Sequence, residues 1–63
     1  MNSHPFKPSK ESLFVWFQSL DADAAEFFME RAAIREFDGN CHREEAEALA
    51  YLDTVAWLAR RQL

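Results

Sequence analysis

Apolar residues recur at helical spacing in the first third of the chain. Over residues 10–20, one face of a helical wheel carries Leu13, Trp16, Phe17 and Leu20. Ser9 precedes this stretch and is a suitable N-cap, since its side-chain oxygen can accept a backbone N–H bond from the first turn. Pro5 and Pro8 disfavour helix in the residues before them. The pattern predicts an extended arm over residues 1–9, followed by a first helix.

A second amphipathic stretch predicts a helix over residues 24–37. Asp23, with Glu26 three residues later, fits the capping-box pattern that begins a helix. No glycine or proline separates this helix from the first, so a single bent helix is an alternative. Phe27 and Phe28 fall on different sides of the wheel. A helix that is apolar on two sides is either central in its own domain or shared with a second chain.

The segment Asp38-Gly39-Asn40 predicts the turn that ends the second helix. Gly39 suits the left-handed position just beyond a helix C-terminus, because it has no Cβ. A third helix is expected from Arg43 to Gln62, entered through residues 40–42. Glutamates lie in its first turns and arginines in its last turn, which matches the helix dipole at both ends.

The third helix carries two apolar faces. The first is a coiled-coil-like seam with 3-4-3-4 spacing, formed by Leu49, Leu52, Ala56, Ala59 and Leu63. Trp57 groups with Ala46, Ala50 and Asp53, roughly 100° away on the wheel. One neighbouring helix cannot cover both faces, so the second face requires the first helix, the arm or another copy of the chain. We therefore expect a homodimer, with a monomer as the alternative.

These elements predict an all-α fold, a small three-helix bundle with a short extended N-terminal arm. The chain of 63 residues has room for one domain, placed at residues 10–63. The expected core is apolar and comes from all three helices: Leu13, Trp16, Phe17, Leu20, Phe28, Ile34, Phe37, Leu49, Leu52, Val55 and Ala56.

Charge narrows the classes of partner. The net charge is −4, and residues 21–53 hold ten carboxylates against three bases. Such a surface is repelled by nucleic-acid phosphates and by anionic lipid, so we expect no direct nucleic-acid contact and no membrane association. No apolar run approaches the roughly 20 residues of a membrane span. With one cysteine and no apolar leader, the sequence indicates a cytoplasmic protein.

No pattern of residues indicates catalysis, a metal or a cofactor. Cys41 and His42 are adjacent, but neighbouring residues in a turn usually point apart, and neither has an orienting acid beside it. The spacing of histidine, cysteine and acidic residues matches no compact zinc pattern. Asp38-Gly39-Asn40 lacks the further ligands of a calcium loop. The sequence therefore predicts neither an enzyme nor a metalloprotein.

A protein–protein interaction module, accessory or adaptor in kind, is the leading functional hypothesis. The alternative is an acidic charge mimic that inhibits or regulates a nucleic-acid-handling protein. The candidate interaction surface combines charged and aromatic residues of the second and third helices: Phe27, Arg31, Arg35, Glu44, Glu45, Glu47, Asp53 and Trp57. A mimic needs a continuous carboxylate face, whereas an adaptor needs an exposed apolar patch.

Residues 30–50 resemble a helix-Asp-Gly-helix segment found in uncharacterised and in phage- or plasmid-associated bacterial proteins. The similar residues are Glu30 to Ile34, Phe37-Asp38-Gly39 and Arg43 to Glu47, within a stretch that covers about a third of the chain. Those proteins usually have a second glycine at the position of Asn40, a residue that also accepts left-handed geometry. They often have serine in place of His42. The resemblance implies a bacterial mobile-element or accessory context and carries over no catalytic residue.

Overall fold

Three helices make up the part of the chain that the computed structural model describes, residues 9–61. They are α1 (Lys10–Gln18), α2 (Ala22–Phe37) and α3 (Arg43–Arg61), and residues 9–61 contain no strand. This confirms the predicted all-α fold of three helices, with the third the longest. Residues 1–8 of the predicted arm lie outside the described residues, as do Gln62, the last residue of the predicted third helix, and Leu63 of the predicted seam.

Helix α1 begins and ends on serine side chains. The backbone N–H of Ser12 donates to Ser9 Oγ at 3.1 Å, which confirms Ser9 as the N-cap. At the other end, Ser19 Oγ donates to the carbonyl of Trp16 at 2.6 Å. The helix closes at Gln18, two residues earlier than predicted, and a turn separates it from α2. The alternative of one bent helix is therefore wrong.

Helix α2 begins before the position that the capping-box pattern predicts. Asp21, not Asp23, is its N-cap, since Asp21 Oδ1 accepts the N–H of Ala24 at 2.8 Å. Asp21 has extended backbone angles (φ −73°, ψ 174°), as an N-cap requires, whereas Asp23 already lies within the helix. The turn after α1 is short enough for the helix to restart directly at Ala22, which makes the earlier carboxylate the cap.

In the turn between α2 and α3, the left-handed residue is Asn40 rather than Gly39. Asn40 has a φ of 58°, and Gly39 has no positive φ, so the prediction for Gly39 is wrong. Gly39 is required for another reason, because a Cβ there would lie 2.8 Å from the carbonyl oxygen of Arg35. Its N–H donates to the carbonyl of Ile34 at 3.1 Å. The turn thus combines a close backbone approach with one left-handed asparagine.

Helices α2 and α3 pack against each other as an antiparallel hairpin, and this pair makes most of the contacts between helices. The buried residues are mainly small: Ala24, Phe28, Ala46, Ala48, Ala50 and Thr54. Small side chains let the two backbones approach closely, in ridges-into-grooves packing. The hydroxyl of Thr54, fully buried, donates to the carbonyl of Ala50 at 2.7 Å, so its burial leaves no polar atom unsatisfied.

Five of the expected core residues lie on the surface instead: Ile34, Phe37, Leu52, Val55 and Ala56. The reason lies in the rotation of α3, which turns Ala46, Ala50 and Thr54 toward α2 and turns Leu52, Ala56 and Ala59 of the 3-4-3-4 seam outward. Of the other expected core residues, Phe28 is buried, and the rest are half-buried. The face of α3 that carries Ala46, Ala50 and Trp57, for which the sequence predicted an additional partner, is thus the face that packs on α2.

Helix α1 attaches to the hairpin through aromatic rings. Trp16 meets the edge of Tyr51 at a centroid distance of 4.6 Å and that of Phe28 at 5.5 Å. Phe17 also packs on Phe28, at 5.5 Å. Such ring pairs contribute about 0.5–1.5 kcal/mol each beyond their buried area. Phe28 of the hairpin therefore links it to α1, because its ring contacts both Trp16 and Phe17.

Candidate interaction surface

The predicted surface residues on the facing sides of α2 and α3 form an ion-pair cluster, the Asp53 clasp, made of Asp53, Arg31 and Arg35. Arg35 makes a two-pronged contact, with Nε at 2.8 Å from Asp53 Oδ2 and Nη2 at 3.0 Å from Oδ1. Arg31 Nε donates to the same Oδ2 at 3.2 Å. The two arginines, one turn apart on α2, therefore share one carboxylate of α3, which relieves the repulsion between them.

The clasp changes the ionisation of its members. Hydrogen bonds from Arg35, and secondarily from Arg31, hold the pKa of the Asp53 carboxyl below its ordinary value, although partial burial acts in the other direction. The same bond to Asp53 raises the pKa of Arg35. Three-quarters of the Asp53 side chain is removed from solvent. The clasp is therefore a set of ion pairs within the chain, and little of the Asp53 carboxylate is accessible to a partner.

Trp57 and Phe27 also face each other within the chain. Their rings stack with centroids 4.9 Å apart and planes 11° from parallel. The guanidinium of Arg61 lies over the Trp57 ring at 4.9 Å and forms an ion pair with Asp21 at 2.8 Å. That hydrogen bond from Arg61 lowers the pKa of Asp21. This arrangement joins the C-terminal end of α3 to the start of α2.

The remaining predicted surface residues lie at the start of α3, away from the clasp. Glu44 and Glu45 are exposed, whereas Glu47 is half-buried and accepts from Arg43 at 3.5 Å. Glu44 also lies 4.0 Å from the ammonium group of Lys10 on α1. The eight predicted residues therefore divide into five that contact one another across α2 and α3 and three glutamates at the start of α3.

Sequence reasoning missed an apolar groove between α1, α2 and the first turns of α3. The groove has a volume of about 650 Å³, and its apolar walls are Leu13, Phe14, Phe17, Phe28 and Met29. Its rim carries the ion pairs of Lys10 with Glu44 and of Arg43 with Glu47. Phe14 lies at the edge of the α1 apolar face on a helical wheel, and this position was the feature of the sequence that could have indicated the groove.

A second, smaller cleft of about 190 Å³ extends the groove along α2. It shares Phe28 and Met29 with the groove and continues to Ala32, Ala33 and Glu36. On the outer side of α2, Met29, Ala33 and Phe37 follow one another at intervals of four residues, and we name these three residues the α2 strip. Met29 lines both the groove and the cleft and Ala33 lines the cleft, so the strip adjoins the groove at these two residues, and Phe37 is exposed one turn beyond Ala33.

The outward side of α3 is a further apolar surface. Leu52, Val55, Ala56 and Ala59 are exposed along it, and they include three residues of the predicted seam. We name these four residues the outer α3 face. Ala56 also borders a cleft of about 260 Å³, smaller than the groove, that lies beside the Asp53 clasp and Trp57.

The residues near the turn show no convergent chemical site. Cys41 is a half-buried free thiol that donates to the carbonyl of Gly39 at 3.8 Å, and His42 is exposed. Within residues 9–61, no three histidine, cysteine or acidic side chains come together as metal ligands. No helix in the same part of the chain is long and apolar enough to cross a bilayer.

The chain was also compared with known proteins. Models of protein families, curated proteins and solved structures give no match to this sequence or its fold. The function of the chain is therefore inferred from the groove, the α2 strip and the charged residues around them.

Proposed function

We propose that the protein is a non-enzymatic protein–protein interaction module that receives its partner on the groove and the α2 strip. One observation carries the proposal: two large apolar side chains that line the groove are exposed, Phe14 to 62% and Met29 to 54%, and Phe37, exposed to 78%, follows Met29 two turns later on α2. Soluble proteins rarely expose contiguous apolar surface without using it, and such surface is typical of binding sites for proteins.

The distribution of carboxylates supports this proposal over a charge mimic. Asp53 is neutralised by two arginines, and Glu47 is paired with Arg43. A mimic of a phosphate backbone needs a regular row of free charges, and the start of α3 supplies only Glu44 and Glu45 in exposed positions. A partner that is held by apolar contacts should also remain bound at salt concentrations that release a mimic.

The context proposed from sequence, a cytoplasmic accessory protein of a bacterial mobile element, is compatible with such a module. Self-association is part of the same proposal, but the surface for it changes. Because Trp57 is stacked on Phe27 within the chain, a second copy would use the outer α3 face instead. Substitution of Leu52 by glutamate should then abolish a dimer seen by light scattering, while Trp57→Glu should destabilise the monomer itself.

Affinity purification from host cells with matched variants tests the proposal. Met29→Glu changes an exposed residue of the groove, and Val15→Glu is its control, at an exposed residue of α1 that lines neither the groove nor the cleft beside it. We expect a partner that the unchanged chain and the Val15 variant retain and that the Met29 variant loses. Equal retention by all three forms would contradict the groove as the docking surface. Release of the partner by moderate salt alone would favour the charge mimic.

A further inference from the structure

We propose that the occupant of the groove and the α2 strip is an amphipathic helix of a partner protein, with lysine or arginine flanking its apolar face. This inference rests on the interaction function proposed above and specifies the chemistry of the partner. It follows from two features of the surface, its dimensions and the sign of the charges around it.

The dimensions of the surface suit a helix. From Met29 to Phe37 the strip spans eight steps between residues, about 12 Å along α2 at 1.5 Å per residue, and the groove extends it toward Phe14 on α1. Two to three turns of a partner helix present anchors at i, i+4 and i+7 over the same length. Methionine and phenylalanine walls suit this use, since the unbranched Met29 side chain can adapt to the shape of an anchor.

The charges around the surface are predominantly negative. Glu36, Glu44 and Glu47 line the groove or the cleft that extends it. On a helical wheel the exposed Glu26 and Glu30 fall beside the strip. The two cations at the rim, Lys10 and Arg43, are each already paired with one of the glutamates that line the groove. Among the described residues, Glu26, Glu30 and Glu36 have no ion pair. On a helical wheel Glu36 and Glu30 lie on opposite sides of Ala33, so that carboxylates flank the strip.

This arrangement selects a basic helix over other occupants. A second copy of the chain would bring the same carboxylates toward the strip, and like charges across an interface are costly. An acidic peptide and an anionic bilayer are disfavoured for the same reason. A helix with lysine or arginine beside its apolar anchors would instead place cations next to Glu26, Glu30 and Glu36, so apolar burial and charge favour the same partner.

Three synthetic peptides of equal length provide the probes. The first has leucines on one helical face and lysines elsewhere, the second has glutamate in place of every lysine, and the third has the composition of the first with its leucines scattered around the wheel. Titration of the full chain, followed by calorimetry and by chemical shifts of its backbone amides, measures affinity and location. We expect the first peptide to bind at least about tenfold more tightly than either of the others.

Variants of the protein test each part of the inference. Phe37→Glu and Met29→Glu should each weaken binding of the first peptide by about tenfold or more, whereas Val15→Glu, at an exposed residue of α1 outside the groove, should leave it unchanged. Reversal of charge in the double variant Glu26→Lys/Glu30→Lys should reduce the preference for lysine over glutamate peptide. All these positions are exposed, and the helical circular dichroism of each variant shows whether it folds.

Specific outcomes overturn the inference. Equal affinity for the lysine and glutamate peptides would refute the basic partner, as would binding of the scattered peptide as tightly as the amphipathic one, or shifts confined to residues outside the groove and strip. Absence of binding by all three peptides would refute a helical occupant. The proposed interaction function fails separately, if capture of a cellular partner is insensitive to Met29→Glu.

Discussion

The α2–α3 hairpin and helix α1 are held in different ways. The hairpin has a face of buried small residues, the Asp53 clasp and the Arg61–Asp21 ion pair. Helix α1 has no fully buried residue and attaches through rings and through one exposed pair at 4.0 Å, Lys10 with Glu44. Exposed pairs contribute little, typically less than about 1 kcal/mol. The stability of the fold is therefore concentrated in the hairpin.

The difference also separates stability from binding. The groove lies where α1 meets the hairpin, so one wall belongs to the strongly held part and the other to the weakly held part. Elements with few buried contacts open at lower free energy than the rest of a protein. We therefore expect the width of the groove to change with the position of α1, while the α2 strip stays in place on the hairpin.

The largest expected effect comes from the residue on which the two regions meet. Phe28→Ala removes the buried ring that contacts Trp16 and Phe17, and should cost about 3–4 kcal/mol in the free energy of unfolding. Urea denaturation measures the loss, and hydrogen exchange should show protection lost first in α1. Phe37→Ala is the control, because its ring is exposed, and should change stability by less than about 0.5 kcal/mol.

A second substitution acts on the hairpin alone. Ala50 is fully buried against α2, so Ala50→Leu must push the helices apart, at a cost of about 2–3 kcal/mol. The matched control is Ala59→Leu, on the outer α3 face, where space is open and the cost should be close to zero. If thermal unfolding showed the two variants equally stable, the assignment of the α3 faces would be wrong.

Loss of the Asp53 carboxylate should have an intermediate effect. Asp53→Ala leaves Arg31 and Arg35 one turn apart without their shared partner. Because both arginine side chains keep about a third of their exposure to water, the expected cost is moderate, about 1–2 kcal/mol. Urea denaturation at neutral pH gives the value, and an unchanged midpoint would show that the clasp contributes nothing to stability.

The same carboxylate predicts the direction of an acid effect. The pKa of Asp53 is lower in the folded chain than in the unfolded chain, so its contribution is complete above the unfolded value, about 4. The contribution is lost as pH falls below that value toward the folded pKa. Asp53→Asn should therefore reduce the difference between the free energies of unfolding at pH 6 and at pH 3. An unchanged difference would assign the acid sensitivity to other carboxylates, such as Asp21.

The smallest expected effects lie in the turn that joins the hairpin. Gly39→Ala should destabilise the chain by about 1 kcal/mol, because the new Cβ would lie 2.8 Å from the Arg35 carbonyl oxygen. Asn40→Gly should be neutral or stabilise by up to about 0.5 kcal/mol, since glycine adopts positive φ without strain. The thermal unfolding midpoints of the two variants show which of them is less stable. If Asn40→Gly were less stable than Gly39→Ala, the left-handed residue of the turn would be Gly39 rather than Asn40.

Local features were predictable because they depend on neighbouring residues. The Ser9 cap, the existence of three helices and the turn at residues 38–40 each follow from propensities within a few residues. Two arginines one turn apart on a helix repel each other, so Arg31 and Arg35 favour a shared partner of opposite charge, which Asp53 supplies. The Asp21 cap was missed because two aspartates two residues apart both suit an N-terminus.

The face of α3 that packs inward was decided by the tertiary structure alone. Both faces are apolar in sequence, so hydrophobic periodicity could not choose between them. In the folded chain, Ala46 and Ala50 allow α2 to approach, and the same rotation brings Asp53 to Arg31 and Arg35. The sequence by itself determined the helices and their ends through local bonding, whereas the groove exists only because three helices meet, which no single helix encodes.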